Sequence, residues 1–194
     1  MSIFEKEKLL SESDSFSESI DFSSIFKLYK YDVFSLVYSI LGNYEEAMDV
    51  TQDVFIKVFE KLNTFQGRSS IKTWLFRIAI NAAKNRIRFW NTKKWKETFS
   101  FSSLGKSNLI LLDLKLSKDV ETPEERYKKL EIEGKIWEAL KLLSMKSRIL
   151  IVMKDIEGLS YMEISETLNI PIGTVKSRLY RAREELKKIL EGIF

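Results

Sequence analysis

The chain has 194 residues, 44% of them hydrophobic and 31% charged, with a formal net charge of +4. It contains neither Cys nor His, which excludes disulfides, thiolate or imidazole metal ligation, cysteine nucleophiles and Ser-His-Asp chemistry. Only 7 Gly and 2 Pro punctuate it, so long helices are expected rather than a turn-rich β architecture. No apolar run approaches the ~20 residues that a membrane helix needs, and the first residues lack a signal peptide's basic and apolar regions; no membrane insertion and a cytoplasmic location are expected.

Residues 1–21 form an acidic, Ser-rich leader with two basic and six acidic groups. It has little to bury and is expected to be mobile. From Phe22 the apolar residues Ile25, Phe26, Tyr29, Val33, Leu36, Val37, Ile40 and Leu41 recur at three- and four-residue steps, predicting a helix that Gly42 ends. Asn43 with Glu46 predicts a capping box for a second helix that buries Ala47, Val50, Val54, Val58 and Leu62. A turn over residues 63–70 leads to a third helix from about Ile71 to Trp90, with Trp74, Leu75, Ile78, Ala82 and Ile87 as its inner stripe. These three elements predict one helical domain over residues 22–95.

Residues 68–96 hold nine basic groups and no acidic one. Such a run repels itself unless counter-charge arrives from outside, and a polyphosphate backbone is the common source. Trp74, Phe76, Phe89, Trp90 and Trp95 lie within the same run, and single-stranded bases stack on aromatic faces while cations follow the phosphates. Residues 96–125 read as a linker, although Leu109-Ile110-Leu111-Leu112-Asp113-Leu114 is too apolar for a plain tether and would pack on the domains or await a partner.

Thr122-Pro123-Glu124-Glu125 is a helix start with proline at the first helical position; the helix runs toward Leu143. Ser144 caps a further helix to about Ile156, ended by Gly158. Ser160 with Glu163 is a second capping box, opening a short helix to Leu168, and Asn169-Ile170-Pro171 separates it from a last helix over residues 172–190. Residues 126–194 thus predict a second helical domain.

Within that domain, residues 160–188 read as a helix-turn-helix. Ile164 and Leu168 face Val175 and Leu179 in the angle, Ser165 is small at the crossing, and Ile170 plugs the turn. The outer face of the last helix carries Lys176, Ser177, Arg178, Tyr180, Arg181 and Arg183, with Gly173 and Thr174 at its N-terminus. Six basic and two acidic groups over residues 174–188 suit phosphates and guanine edges in a major groove. The acidic face Glu45, Glu46, Asp49 and Asp53 has a metal or general-acid reading, a solvated-face reading and a docking reading. The first lacks a partner cation or phosphate loop nearby.

Two blocks resemble a family. The first is Asp49-Val50-Thr51-Gln52-Asp53-Val54-Phe55-Ile56-Lys57-Val58-Phe59 with Phe65-Gln66-Gly67 and Ile71-Lys72-Thr73-Trp74-Leu75-Phe76-Arg77-Ile78-Ala79-Ile80-Asn81-Ala82-Ala83-Lys84-Asn85. It resembles the second conserved region of bacterial sigma factors of the extracytoplasmic-function (ECF) group. The second, Gly158-Leu159-Ser160-Tyr161-Met162-Glu163-Ile164-Ser165 with Ile170-Pro171-Ile172-Gly173-Thr174-Val175-Lys176-Ser177-Arg178-Leu179, resembles that group's fourth region. Two departures are Ser144, where the family often has proline, and Ser165, where it usually has Ala. The resemblance implies an all-α protein of two helical domains joined by a linker, with no catalytic residue, metal or cofactor of its own.

It further implies that the turn Phe65, Gln66, Gly67 with Trp74 captures a base of the minus-ten element, a step that costs a few kcal/mol of unstacking. Lys72, Arg77, Asn81, Lys84, Asn85 and Arg88 would contact nearby DNA, and the last helix would read the minus-thirty-five element. Asp49, Gln52, Asp53, Phe55 and Ile56 would dock on the β′ clamp helices of core RNA polymerase, the β flap would hold the second domain, and an anti-sigma factor would silence the chain. Two other readings remain open at this point: a stand-alone helix-turn-helix regulator, and a metal-dependent nuclease using Asp49 and Asp53.

Overall fold

The structure, a computed structural model, describes residues 21–92 and 123–193. Residues 1–20 of the leader, Trp95, Thr122 and the apolar run 109–114 lie outside the described residues.

Local rules set the helix ends. Asp21 caps α1 (Phe22–Leu41) by accepting from the Ser24 N–H at 3.3 Å. Gly42, at φ 70°, ends it in the left-handed conformation and donates its N–H to the Tyr38 carbonyl at 2.8 Å, a role for which a residue without Cβ is favoured. Asn43 caps α2 (Tyr44–Lys61), accepting from the Glu46 N–H at 3.0 Å. The reciprocal half of the expected box is replaced: the Glu46 carboxylate accepts from Arg86 at 2.6 Å. A single 3-10 turn (Leu62–Thr64) leads to the loop before α3 (Ile71–Thr92).

In the second half, α4 begins at Pro123, the first helical position, and ends at Leu142. Ser144 caps α5 (Met145–Ile151), accepting from the Ser147 N–H at 3.2 Å. The expected continuous helix to Ile156 instead widens into a π-helical turn, Val152–Ile156. Both halves of the predicted capping box form at Ser160 and Glu163, starting α6 (Tyr161–Leu168). Asn169 stops it at φ 52°, and α7 (Ile172–Ile193) follows Pro171.

α1, α2 and α3 pack on one another, with Val33, Leu36, Val37, Ile40, Val54, Val58, Leu75 and Phe76 at their centre. The buried hydrophobic set of α3 is Leu75, Phe76, Ala79, Ile80, Ala82 and Ala83. Trp74, Ile78 and Ile87, expected inside, are half-buried and pack at its margins. In the second module α7 lies against α4, α5 and α6, and Ile149, Leu150, Met153, Ile164, Val175, Leu179 and Ala182 close its core.

The two modules share a seam. Residues 33–41 of α1 are all buried, which three helices alone do not produce, because a helix covered on one side keeps an exposed face. The second module covers the other side. Ser35 donates to the Glu157 carboxylate at 2.8 Å, Tyr38 meets Trp137 edge-on at 5.8 Å between ring centroids, and the Lys141 stem lies against Gly42. Arg148 donates to the carbonyls of Ile40 at 2.8 Å and Lys141 at 2.6 Å. Burial pulls its pKa down, and these carbonyl bonds offset part of the desolvation.

Candidate nucleic-acid interfaces

The first interface is built at the turn before α3. Phe65 N–H donates to the Leu62 carbonyl at 3.0 Å, and Gly67 takes φ 66°, a conformation that costs other residues energy. Ser70 then caps α3: its hydroxyl accepts from the Thr73 N–H at 3.1 Å and pairs with the buried Thr73 hydroxyl at 2.8 Å. This cap fixes the first turn of α3, so that Trp74 meets Phe65 with ring centroids 5.3 Å apart and planes tilted by 51°. Both rings are half-buried, beside exposed Gln66 and Gly67. The arrangement is an aromatic corner with exposed Gln66 and Gly67 at its rim, and its ring faces suit a flat ring.

Arg77, Asn81, Asn85 and Arg88 are exposed and spaced so that they form one stripe along α3. Lys72 and Lys84 are half-buried. Burial lowers the Lys84 pKa, and Arg88 and Lys146 lower it further. Phe76, one of the aromatics expected to be available for stacking, is fully buried at 0% exposure. It holds the helix in place and presents no face to a base.

The second interface is α7. Its inner residues Val175, Leu179 and Ala182 are buried, while Gly173, Lys176, Ser177, Arg178, Tyr180, Arg181 and Arg183 are exposed and Thr174 is half-buried. Ile164 of α6 sits at 0% exposure in the angle, and each such fully buried aliphatic side chain contributes about 1.5–3 kcal/mol. Ser165 does not bond within its own helix. Its hydroxyl donates to the Ile170 carbonyl at 2.6 Å and ties α6 to the turn. Arg183 has its guanidinium engaged, donating through Nε and Nη2 to both carboxylate oxygens of Asp155. That bond, with Asp155's charge, raises its pKa further.

Composition and spacing did not single out Tyr161. Its ring has Lys154 Nζ at 4.9 Å and Lys176 Nζ at 5.7 Å from its centroid, which places two cations and an aromatic at the start of α6. Glu163 lies below its usual pKa: burial pushes it up, but hydrogen bonds from Ser160 and the charges of Lys72 and Lys154 outweigh that.

The third surface is on α2. Asp49, Gln52, Asp53 and Ile56 are exposed. Phe55 is 4% exposed and packs edge-on against Phe26 at 4.9 Å, so it supports this face from below. Phe26, Met48 and Phe59 add exposed apolar area beside it. Arg86, which the spacing did not mark, pairs with Glu46 at 2.6 Å and Asp53 at 3.7 Å. Among the described residues no group of three acidic side chains converges as metal ligands.

A basic stripe beside an aromatic corner and an acidic-apolar face on α2 mark the first module, and a basic helix-turn-helix marks the second, the surfaces of a two-module nucleic-acid-binding protein. Residues 25–91 match the family Sigma-70 region 2, and residues 133–186 match Sigma-70, region 4. The chain is 36% identical over 172 residues to the ECF RNA polymerase sigma factor SigW of Bacillus subtilis, covering 89% of this chain and 90% of that one. It is 32% identical over 164 residues to the ECF RNA polymerase sigma-E factor of Escherichia coli K12, covering 81% and 80%. Among solved structures, the sigma factor RpoE of Bartonella quintana, determined in complex with the anti-sigma factor NepR, matches with a TM-score of 0.66 at 25% identity, covering 88% of this chain and 97% of that one. CnrH, determined with the cytosolic domain of CnrY, shares the fold, with a TM-score of 0.63 at 21% identity over 95% and 96%. The chain belongs to the ECF RNA polymerase sigma factors.

Among the described residues no helix is long and apolar enough to cross a membrane.

Proposed function

We propose that this chain assembles with core RNA polymerase in the cytoplasm, brings it to promoters and opens them. It carries out no bond-making chemistry itself; the polymerase forms the RNA. The first module, residues 22–95, holds the enzyme through Asp49, Gln52, Asp53 and Ile56, with the apolar neighbours Phe26 and Phe59 as anchors. Acidic groups around an apolar centre suit a basic partner helix, steering the encounter by charge. The corner of Phe65, Gln66, Gly67 and Trp74 takes a base displaced from the minus-ten duplex, while Arg77, Asn81, Lys84, Asn85 and Arg88 follow the phosphates.

The second module, residues 126–194, contacts the β flap and enters the major groove of the minus-thirty-five element with α7. Lys176, Ser177, Arg178, Tyr180 and Arg181 face the DNA, and the start of α7 at Gly173 and Thr174 meets a phosphate. Arg183 shapes this surface through Asp155. An anti-sigma factor silences the chain, in line with the complex in which the Bartonella quintana relative was determined.

The observation that carries this reading is the exposed face of Lys176, Ser177, Arg178, Tyr180 and Arg181, set over the buried pair Val175 and Leu179 beside a capped α6. The test is reconstitution: the chain, core polymerase and genomic DNA are mixed and transcript starts mapped. New starts sharing two spaced sequence elements are expected. No starts beyond those of core polymerase alone would refute the reading, and sequence-specific duplex binding without any effect on polymerase would favour a stand-alone regulator.

A further inference from the structure

We propose that Arg86 sets the strength of polymerase docking: it holds the Asp53 carboxylate on the chain itself, and a cation of the partner helix must take that carboxylate over. The proposal rests on the reading of α2 as the polymerase-binding face.

The sequence makes Arg86 look beyond its own helix. Residues 68–96 contain no acidic group, so counter-charge for a cation of α3 comes from another element or from a ligand. Arg86 follows the buried Ala82 and Ala83 by four and three positions. That spacing sets it on the edge of α3 turned toward the other helices, off the stripe of Asn81, Asn85 and Arg88. Its fork reaches two carboxylates of α2, Glu46 through Nη1 at 2.6 Å and Asp53 through Nη2 at 3.7 Å.

The two arms are unequal, and the inequality carries the proposal. The Glu46 side chain is only 12% exposed. It stands in the first turn of α2, where the positive end of the helix dipole favours a carboxylate. Its short contact with Arg86 is a charge-assisted hydrogen bond. Parting them leaves a largely buried charge without its partner, so this arm is fixed. The Asp53 side chain is 56% exposed and lies about two turns further along α2. At 3.7 Å its contact is longer than a hydrogen bond. An ion pair of this kind in solvent shifts an equilibrium by no more than about fivefold. Asp53 can therefore turn to a basic partner while Arg86 stays on Glu46.

Two roles for Arg86 give opposite signs. If it only braces α2 against α3, its loss loosens the docking face and weakens polymerase binding. If it competes with the partner for Asp53, its loss strengthens polymerase binding, most of all at low salt, where a freed surface charge is least screened.

The test is binding of the full chain to immobilised core polymerase at low and high salt. Arg86→Gln is made together with Glu46→Gln, so that no buried carboxylate is left unpaired. Arg86→Lys is the second variant: it keeps a single bond to Glu46 and gives up the fork. Circular dichroism and thermal unfolding establish that each variant is folded. Both are expected to bind more tightly than wild type at low salt, by up to about fivefold for the double variant, with faster association and a gain that fades at high salt. Asp53→Asn is expected to cost more binding in the double variant than in wild type, because the carboxylate it removes there is wholly available to the partner.

No gain in either variant, or an equal cost of Asp53→Asn with and without Arg86, would overturn the proposal. Failure of the docking reading looks different: Asp49→Asn and Asp53→Asn would then both leave polymerase binding unchanged in every background, and the proposal would fall with it. A loss on Asp49→Asn with no gain from the Arg86 variants strikes the proposal alone.

Discussion

Phe76 and Trp74 sit two residues apart in the same aromatic-basic run, yet the structure gives them different work. Phe76 is at 0% exposure under α3, whereas Trp74 is half-buried beside Phe65 in the loop corner. Truncating a buried Phe to Ala costs about 3–5 kcal/mol, a large part of the roughly 5–15 kcal/mol that holds a domain folded. Phe76→Leu keeps most of the volume and is expected to cost about 1–2 kcal/mol, between a volume-conserving swap and full truncation. Trp74→Ala removes a stacking partner and is expected to cost about 1–3 kcal/mol in binding, since that is the range for one base on one ring. The two losses separate in two assays on the same samples: urea unfolding followed by circular dichroism, and binding of a labelled single strand by holoenzyme assembled with core polymerase. Phe76→Leu should lower the unfolding midpoint and leave binding by the folded holoenzyme unchanged. Trp74→Ala should weaken binding roughly 5- to 150-fold, the factor equivalent to that energy range. A Phe76→Leu holoenzyme that loses single-strand binding at an unchanged midpoint would refute the assignment of roles.

On α7, Arg181→Ala is expected to weaken promoter binding by about 1–3 kcal/mol if it reads a base edge, while Arg183→Ala, whose guanidinium is held by Asp155, should weaken it less; equal losses in a gel-shift titration would show that Arg183 leaves Asp155 for DNA. The Asp155 pair is solvent-exposed, so Asp155→Asn should change stability by no more than about 1 kcal/mol in thermal unfolding. Glu163→Gln keeps an acceptor for the Ser160 N–H and removes the charge. Because the folded-state pKa of Glu163 is depressed, its charge stabilises above the unfolded glutamate pKa of about 4.3, and that contribution disappears as pH falls through the lower folded value. The variant should therefore be less stable than wild type near neutrality and converge with it in acid, as read by urea midpoints across that window. Gly158 holds φ +70° with nothing within 4 Å of an added Cβ, so Gly158→Ala should cost about 1–2 kcal/mol from backbone strain alone, without the larger loss that a clash would add.

The sequence carried the helix boundaries well wherever a boundary depends on neighbouring residues. Asn43, Ser144 and Ser160 cap as expected, because a cap is settled within three or four positions. The helix-turn-helix was legible for the same reason: Ile164, Val175 and Leu179 must meet once the turn is set. What depended on distant partners was not legible. Glu46 was expected to complete its own capping box, but Arg86 reaches it from 40 positions along the chain. The inner face of α3 was read as a narrow stripe led by Trp74 and Ile78. Periodicity gives the direction of a stripe but not its width, and cover from α1, α2 and α6 broadens it to include Phe76, Ala79 and Ala83. Nothing in the local residues marks the π-helical turn at Val152–Ile156, where the apolar spacing predicts an unbroken helix. The seam escaped notice because Ser35, Ser39 and Gly42 read as ordinary interruptions of an apolar pattern.

The buried flank of α1 that faces the second module also bears on how the chain is made. Translation at about 5–20 residues per second delivers the first module well before Trp137, Lys141 and Arg148 leave the ribosome. For that interval of roughly two to eleven seconds at this rate, the nascent protein shows Tyr38 and its neighbours to whatever else is in reach. Molecular chaperones and premature copies of the same polypeptide are the natural visitors. Heat or a stalled ribosome would lengthen the exposure, and the yield of usable protein would drop even if the finished fold were unaffected.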